Sequence, residues 1–445
     1  MRSARVVVTG AGAVSPLGLT VPDLWEGLKT GRCGIDTIGA FDPVGFSCRL
    51  AGEVPPFKLR NYLPKSSRKA AKLMSRDIEL AVVAADEAFR SSGLVTRAID
   101  PEQVTLNPRR TAIILGAGLI SCDLVELAPA VAASCVEGRF DLRQWGRQGI
   151  ENVTPLWLLK YLPNMLACHI SLLHDIQGPS NTITCAETSG HLSVIEAVRI
   201  IQREASDVAL AGGAEAKVNP IVMARQCLIK RATEANQDAP HSACRPFDSQ
   251  AAGSVFGEAA GIMVLENRES AEKRGAPLLA EIAGYGQSNC INSPYERLEP
   301  EGTGVRIAIE KALAHARITP ADLDLVIPHG TGIPHDDRAE ARAIQNTLGT
   351  SVPIFPSKSM LSNTGAAAGA LDLIVALSAL REGFIPAARN CDQRAEGIQL
   401  NIQSDAQTRP IRYALSCSYS YGGQTAAVIL KNPHLEATAK GAAHH

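Results

Sequence analysis

The stretch TITCAETSG, Thr182 to Gly190, reads as a buried strand that passes through a tight turn into a helix. Apolar Ile176 and Ile183 lead into the turn, and from Ser189 through Val198 to Ile201 apolar residues recur at helical spacing. Glu187 stands at the turn, and so at a helix N-terminus inside a core. The helix end favours an anion, whereas burial disfavours one. A carboxylate held between those demands is a candidate functional group.

Outward from this stretch, strand-like runs begin at Arg5 (RVVVTG), Arg110 (RTAIILGAG), Ser180 (SNTITC), Asp207 (DVALAGG), Asp324 (DLVIPHG) and Tyr413 (YALSCSYS). Helical patterns lie between them, from Asp77 (DIELAVVAADEAFRSSG), Val153 (VTPLWLLKYLPNMLACHISLL) and Thr303 (TGVRIAIEKALAHARI). Alternation of this kind predicts an α/β protein with layered sheets. The polar stretch ATEANQDAPHSACRPFDS precedes glycine-interrupted strands, and the boundary is expected near residues 255 to 275. This gives halves of 1–260 and 261–432 and a loosely held tail at 433–445. Each half runs strand, helix, strand, helix, which suggests a duplicated unit, although no sequence repeat is visible.

The chain has 445 residues, 45% of them hydrophobic, enough for a large core. Its 44 basic and 45 acidic residues nearly cancel, so no global charge favours nucleic acid or a membrane surface. The 11 cysteines are scattered, without a Cys-x-x-Cys pair or zinc spacing, which points to a reducing compartment and no structural metal. The N-terminus enters a strand directly and no run reaches the ~18 apolar residues of a spanning helix. A cytoplasmic location without an integral membrane segment is expected. Gly10 and Gly12 follow the first strand, but Ser15 and Pro16 stand where a dinucleotide fingerprint needs its third glycine, so a packing turn is expected there.

Six collinear stretches then point to one family: GPSNTITCAETSG, DVALAGGAEA, RPFDSQAAGSVFGEAAGIMVLE, HGTGIPHDDRAEARAI, PSKSMLSNTGAAAGALD and SYSYGGQTAAVIL. In order and spacing the chain resembles the type II β-ketoacyl carrier-protein synthases, the condensing enzymes of fatty acid and polyketide synthesis, over about residues 4 to 432. The resemblance implies a thiolase-like fold of two pseudo-duplicated α/β halves in five layers, normally dimeric. It also implies acyl carrier protein as partner, its phosphopantetheine thioesters as substrates or ligands, and no separate cofactor.

In that family a cysteine stores the acyl chain as a thioester, two histidines stabilise the enolate left by malonyl decarboxylation, and two backbone amides form an oxyanion hole. Here the cysteine position is Glu187, the first histidine is kept as His329, the second is Asn363, and the nearby lysine is Lys358. Thr331 keeps the first phosphopantetheine-contacting threonine and Ile333 replaces the second. The gating and oxyanion loop keeps Gly422 and Gly423, with Tyr421 for phenylalanine and Ser420 for glycine. Cys185 lies two residues before Glu187, away from the activating helix end, and reads chiefly as a core cysteine.

A carboxylate stores acyl groups poorly, because the adduct is a reactive anhydride. Glu187 would imitate the glutamine of related chain-length factors and loading decarboxylases only if protonated; ionised, it would repel a malonyl carboxylate. It is expected to pair with Lys358 or to hydrogen-bond to His329. Three functions stay open: a condensation-deficient, chain-length-factor-like partner of an active synthase; a non-standard synthase or malonyl decarboxylase using Glu187 and His329; and a non-catalytic, acyl-carrier-binding homodimer. The dimer is accordingly with itself or with an active ketosynthase.

Among the basic residues of KLRNYLPKSSRKAAKLMSR, Lys65, Arg68 and Lys69 are candidates for docking acidic carrier protein, against the alternative of a solvated amphipathic helix face. Cys168, His169 and Met360 read as packing, and Glu258, His335, Asp336, Asp337 and Glu340 as family structural positions.

Overall fold

The computed structural model describes residues 4–292 and 297–435; most of the predicted tail, from residue 436 on, lies outside them. The first half contains β1 (Val6–Val14), α1 (Arg76–Ser92), β2 (Thr111–Ala117), α2 (Met165–His174), β3 (Ser180–Ile183), α3 (Ser189–Gln202), β4 (Val208–Ala216) and β5 (Glu258–Asn267). The second contains β6 (Ala280–Asn289), α4 (Thr303–Ala316), β7 (Leu325–Ile327), α5 (Pro334–Leu348), β8 (Pro353–Ile354), α6 (Ala368–Glu382), the short β9 (Asn401–Ile402), β10 (Tyr413–Tyr419) and β11 (Gln424–Lys431). All six predicted strands are present.

The duplication that side chains conceal is plain in the pairing. β1 runs antiparallel to β5 and β5 to β4, while β4 is parallel to β2 and β2 to β3. In the second half β6 is antiparallel to β11 and β11 to β10, while β10 is parallel to β7 and β7 to β8. The halves thus share one strand order, and β1 joins β6 through Val7 opposite Glu281 and Val8 opposite Ala280. We place the division after Asn267, where β5 ends, because a cut at residue 260 would split a strand paired throughout with β1 and β4.

Strands buried on both faces read as near-continuous apolar runs, as β1 and β2 do. α3 and α6 fill the space between the two half-sheets, α1 and α2 cover the outer face of the first, and α4 and α5 that of the second. These are the five layers of the thiolase-like architecture. α6 is buried on every side along Ala368–Leu380 and is apolar there apart from Asp372 and Ser378, so it shows no helical stripe. α3 crosses it closely: a Cβ on Gly190 would lie 2.8 Å from the backbone nitrogen of Ala370.

One predicted helix is corrected. The run from Val153 to Leu173 is a 3-10 turn at Trp157–Tyr161 followed by α2 from Met165. Pro163 divides them, since its ring and missing N–H cannot continue a helix. Among the described residues, no helix is long and apolar enough to cross a membrane.

Candidate functional site

The first half supplies the charged part of the site. After β3, Ala186 takes a left-handed φ of 48°, a conformation that costs a non-glycine residue roughly 1–2 kcal/mol. The turn is pinned by Ser189, whose Oγ accepts from Cys185 N (2.8 Å) and donates to Ala186 O (2.7 Å). Glu187 follows at once, 4% exposed, on a 3-10 turn that runs into α3. Cys185 is half-buried, and burial pushes its thiol up, away from the reactive thiolate.

The carboxylate's partner differs from the one expected. Lys217, just beyond β4, places Nζ 3.9 Å from Glu187 Oε1 and 3.2 Å from Glu215 Oε1. Glu215 Oε2 accepts from Ala366 N at 2.7 Å, which ties the cluster to the second half. Burial alone would lower the pKa of Lys217, but the Glu215 and Glu187 carboxylates outweigh it and raise the pKa, so the side chain is an ammonium. Lys358 is not Glu187's partner: its Nζ is 2.7 Å from Asp372 Oδ2, on the buried α6. A buried ammonium takes a buried carboxylate, and Asp372, whose other oxygen accepts from Ser357 Oγ at 2.5 Å, meets that need. Sequence reading missed Lys217 because DVALAGGAEA stops one residue short of it; a lysine after a run of small buried residues was the available signal.

The second half supplies the neutral part. His329 N and Gly330 N donate to Glu340 (2.7 and 2.8 Å), and Thr331 N donates to Asp337 (2.9 Å). The imidazole of His329 stands edge-on to Tyr419 at 4.6 Å between centroids. Burial, then the cation Lys358, hold its pKa well below the usual value, so the ring is neutral. The Thr331 hydroxyl is engaged inside its own loop, donating to Asp337 and accepting from Ile333 N, each at 3.2 Å. Buried Ile333 precedes α5 as its cap residue. Asn363 Oδ1 accepts from Gly365 N at 3.1 Å, while its buried Nδ2 has no hydrogen-bond partner among the described residues.

Tyr421 and Gly422 belong to a turn closed by Gly423 N donating to Ser420 O at 2.9 Å. Gly423 has φ 92°, and a Cβ there would lie 2.3 Å from Cys290 O, so glycine is required. The Tyr421 ring lies 4.8 Å from the guanidinium of Arg231, which pairs with Asp336 at 2.8 Å. A cavity of about 350 Å³ opens here, lined by Glu187, Glu215, Lys217, Arg225, Gln226 and Tyr421 among others. His329, Asn363 and Lys358 do not line it.

Lys65, Arg68 and Lys69 are exposed, on a 3-10 run at Lys65–Leu73 rather than on an α-helix face. Arg76 of the same basic segment is committed to the fold, bonded to Glu258 at 2.7 and 3.0 Å and stacked on Phe57.

Burial pushes Glu340 up to about 8. A carboxyl raised on folding contributes stability that is full below its unfolded pKa and lost as pH rises through the folded one. Glu340 alone is therefore expected to remove ~1 kcal/mol between pH 7 and pH 8. Denaturant titrations of the wild type and Glu340→Gln at those two pH values check this: the variant loses that share, and equal pH slopes contradict it.

Two stacked α/β halves, with an elbow residue at the N-terminus of a central helix and a histidine loop from the second half, define a thiolase-like condensing-enzyme scaffold. The chain belongs to the beta-ketoacyl synthase family: residues 3–271 match its N-terminal domain and 279–392 its C-terminal domain. It is 33% identical over 439 residues to 3-oxoacyl-[acyl-carrier-protein] synthase 2 of Vibrio harveyi, covering 97% of this chain and 99% of that one. It is 34% identical over 435 residues to a Streptomyces cyaneus protein provisionally named polyketide beta-ketoacyl synthase 1, covering 96% and 98%. Among solved structures, the ishigamide ketosynthase/chain length factor superposes with a TM-score of 0.83 at 29% identity, over 96% of this chain and 99% of that one.

Proposed function

We propose that the protein is a condensation-deficient subunit of the chain-length-factor kind, which pairs with an active synthase and shapes its acyl pocket. The observation that carries this reading is the Glu187–Lys217–Glu215 charge cluster at the position where a condensing enzyme holds its thiol. A carboxylate there forms no stable thioester, and one paired with an ammonium is a weak nucleophile. The cavity is lined by Glu187 and Glu215 together with Lys217 and Arg225, so a malonyl carboxylate brought into it meets both signs of charge. The solved ketosynthase/chain length factor supports the partner role by likeness.

Surface features support a subunit contact. Leu119, Val125, Phe140, Leu142, Ile150 and Leu156 are exposed within one segment, Val125 by 81% and Leu142 by 74%, and Leu119 also lines the cavity. Large apolar side chains exposed in this number along one segment are the kind of surface an interaction site presents. β3 ends the sheet with Ser180 and Asn181 exposed, which leaves an edge free to pair. Co-expression with an active ketosynthase of the same cell tests the reading. A stable heterodimer is expected, with product chain lengths that differ from those of the synthase alone; unchanged products and no complex reject it.

Acyl carrier protein is the acidic partner proposed for Lys65, Arg68 and Lys69. Reversing all three to glutamate is expected to weaken carrier binding about tenfold at low salt, with the difference shrinking as salt rises. Affinity that is unchanged across the salt series removes this surface from the docking reading.

A further inference from the structure

We infer that Lys217 is a counter-ion that Glu187 shares with Glu215, a positioning residue that orients the elbow carboxylate. Lys217 is 4% exposed and stacked 5.6 Å from the Phe256 ring, so its charge must be met by neighbours within the fold. Two carboxylates face it, Glu215 at 3.2 Å and Glu187 at 3.9 Å. Glu215 already accepts a hydrogen bond from Ala366 N. Glu187 Oε2 has no hydrogen-bond partner among the described residues, so compensation for a carboxylate buried here comes from the Lys217 ammonium beside Oε1 together with the Arg231 guanidinium, which also feels Glu187. Remove Lys217, and an anion at position 187 loses a group that helps make its burial tolerable.

Glu187, Lys217 and Tyr421 line one cavity together, and Glu187 Oε2 is buried without a hydrogen-bond partner among the described residues. Through Glu215 and Ala366 the same ammonium braces the turn before α6 in the second half, close in sequence to Asn363. The elbow and the asparagine turn are thus connected by one cation. This inference stands on the geometry alone, and failure of the partner-subunit reading leaves its test unaffected.

The competing possibility is that Lys217 serves Glu215 only, and two measurements separate the alternatives. Lys217→Met is expected to lower the apparent melting temperature by about 5 °C or more, and Lys217→Arg to retain most of it. Adding Glu187→Gln to Lys217→Met is expected to regain at least half of the loss; a role confined to Glu215, or to filling volume, gives no recovery and overturns the inference. The second measurement follows the thiol of Glu187→Cys by the rate at which its sulfur displaces iodide from iodoacetamide at neutral pH, read on the peptide that carries position 187. An ammonium at Lys217 favours the thiolate, so Glu187→Cys/Lys217→Met is expected to react about tenfold more slowly, with its pH profile moved upward. Rates within twofold and coincident pH profiles place Lys217 outside the elbow's electrostatics and overturn the assignment.

Discussion

Glu187→Cys is expected to gain the mass of an acyl chain from acyl-carrier protein, where the wild type is expected to gain none. The parts a nucleophile needs are in place: the left-handed turn at Ala186 sets position 187 at the start of α3, and that helix end and the Lys217 ammonium favour a thiolate there. The thiolate attacks the thioester carbonyl, a new thioester forms, and the phosphopantetheine thiolate leaves and takes up a proton. Loading should approach one acyl group per chain, against none for the wild type. Condensation should still fail, because the family resemblance places Asn363 where a second histidine would stand beside His329. A folded Glu187→Cys protein that gains no mass would show that the elbow no longer presents its side chain to a carrier arm.

Asp337→Ala is expected to be the most destabilising single substitution near the site. Its carboxylate accepts from Phe247 N at 2.8 Å, Thr331 N at 2.9 Å and Gly332 N at 3.1 Å, all buried, as well as from the Thr331 hydroxyl. Each buried donor left without a partner costs about 1–3 kcal/mol, so the loss should reach about 4 kcal/mol. Asp337→Asn keeps one acceptor oxygen and should fall between. Denaturant midpoints check the order, and a loss below about 1 kcal/mol for Asp337→Ala contradicts the hydrogen-bond account. The role is structural: these bonds hold the loop that carries His329.

Much of the fold was legible because strands buried on both faces stay apolar without interruption, as RVVVTG and DVALAGG do. The duplication was not, because strand order repeats while side chains diverge: of the two central helices, α3 keeps a partly exposed face with Glu196 and Arg199, whereas α6 is buried along Ala368–Leu380. The run at Val153 misled because its apolar residues keep helical spacing across Pro163, and spacing outweighed a breaker that the backbone obeys. At the site, the turn-and-helix position of Glu187 could be read from local pattern alone. Its partner could not, since an ion pair between distant segments depends on which buried cation is already taken. Lys358 is taken by Asp372, and Glu187 shares Lys217 with Glu215.

The most direct measurement is intact-protein mass spectrometry of the wild-type chain after incubation with acyl- and malonyl-carrier protein, alone and with an active synthase. A retired condensing site predicts no acyl mass on this chain and no acetyl-carrier product when it acts alone, with acyl mass on the synthase when the two are mixed. An acyl adduct on any residue of this chain, or acetyl-carrier protein formed by it alone, contradicts that claim.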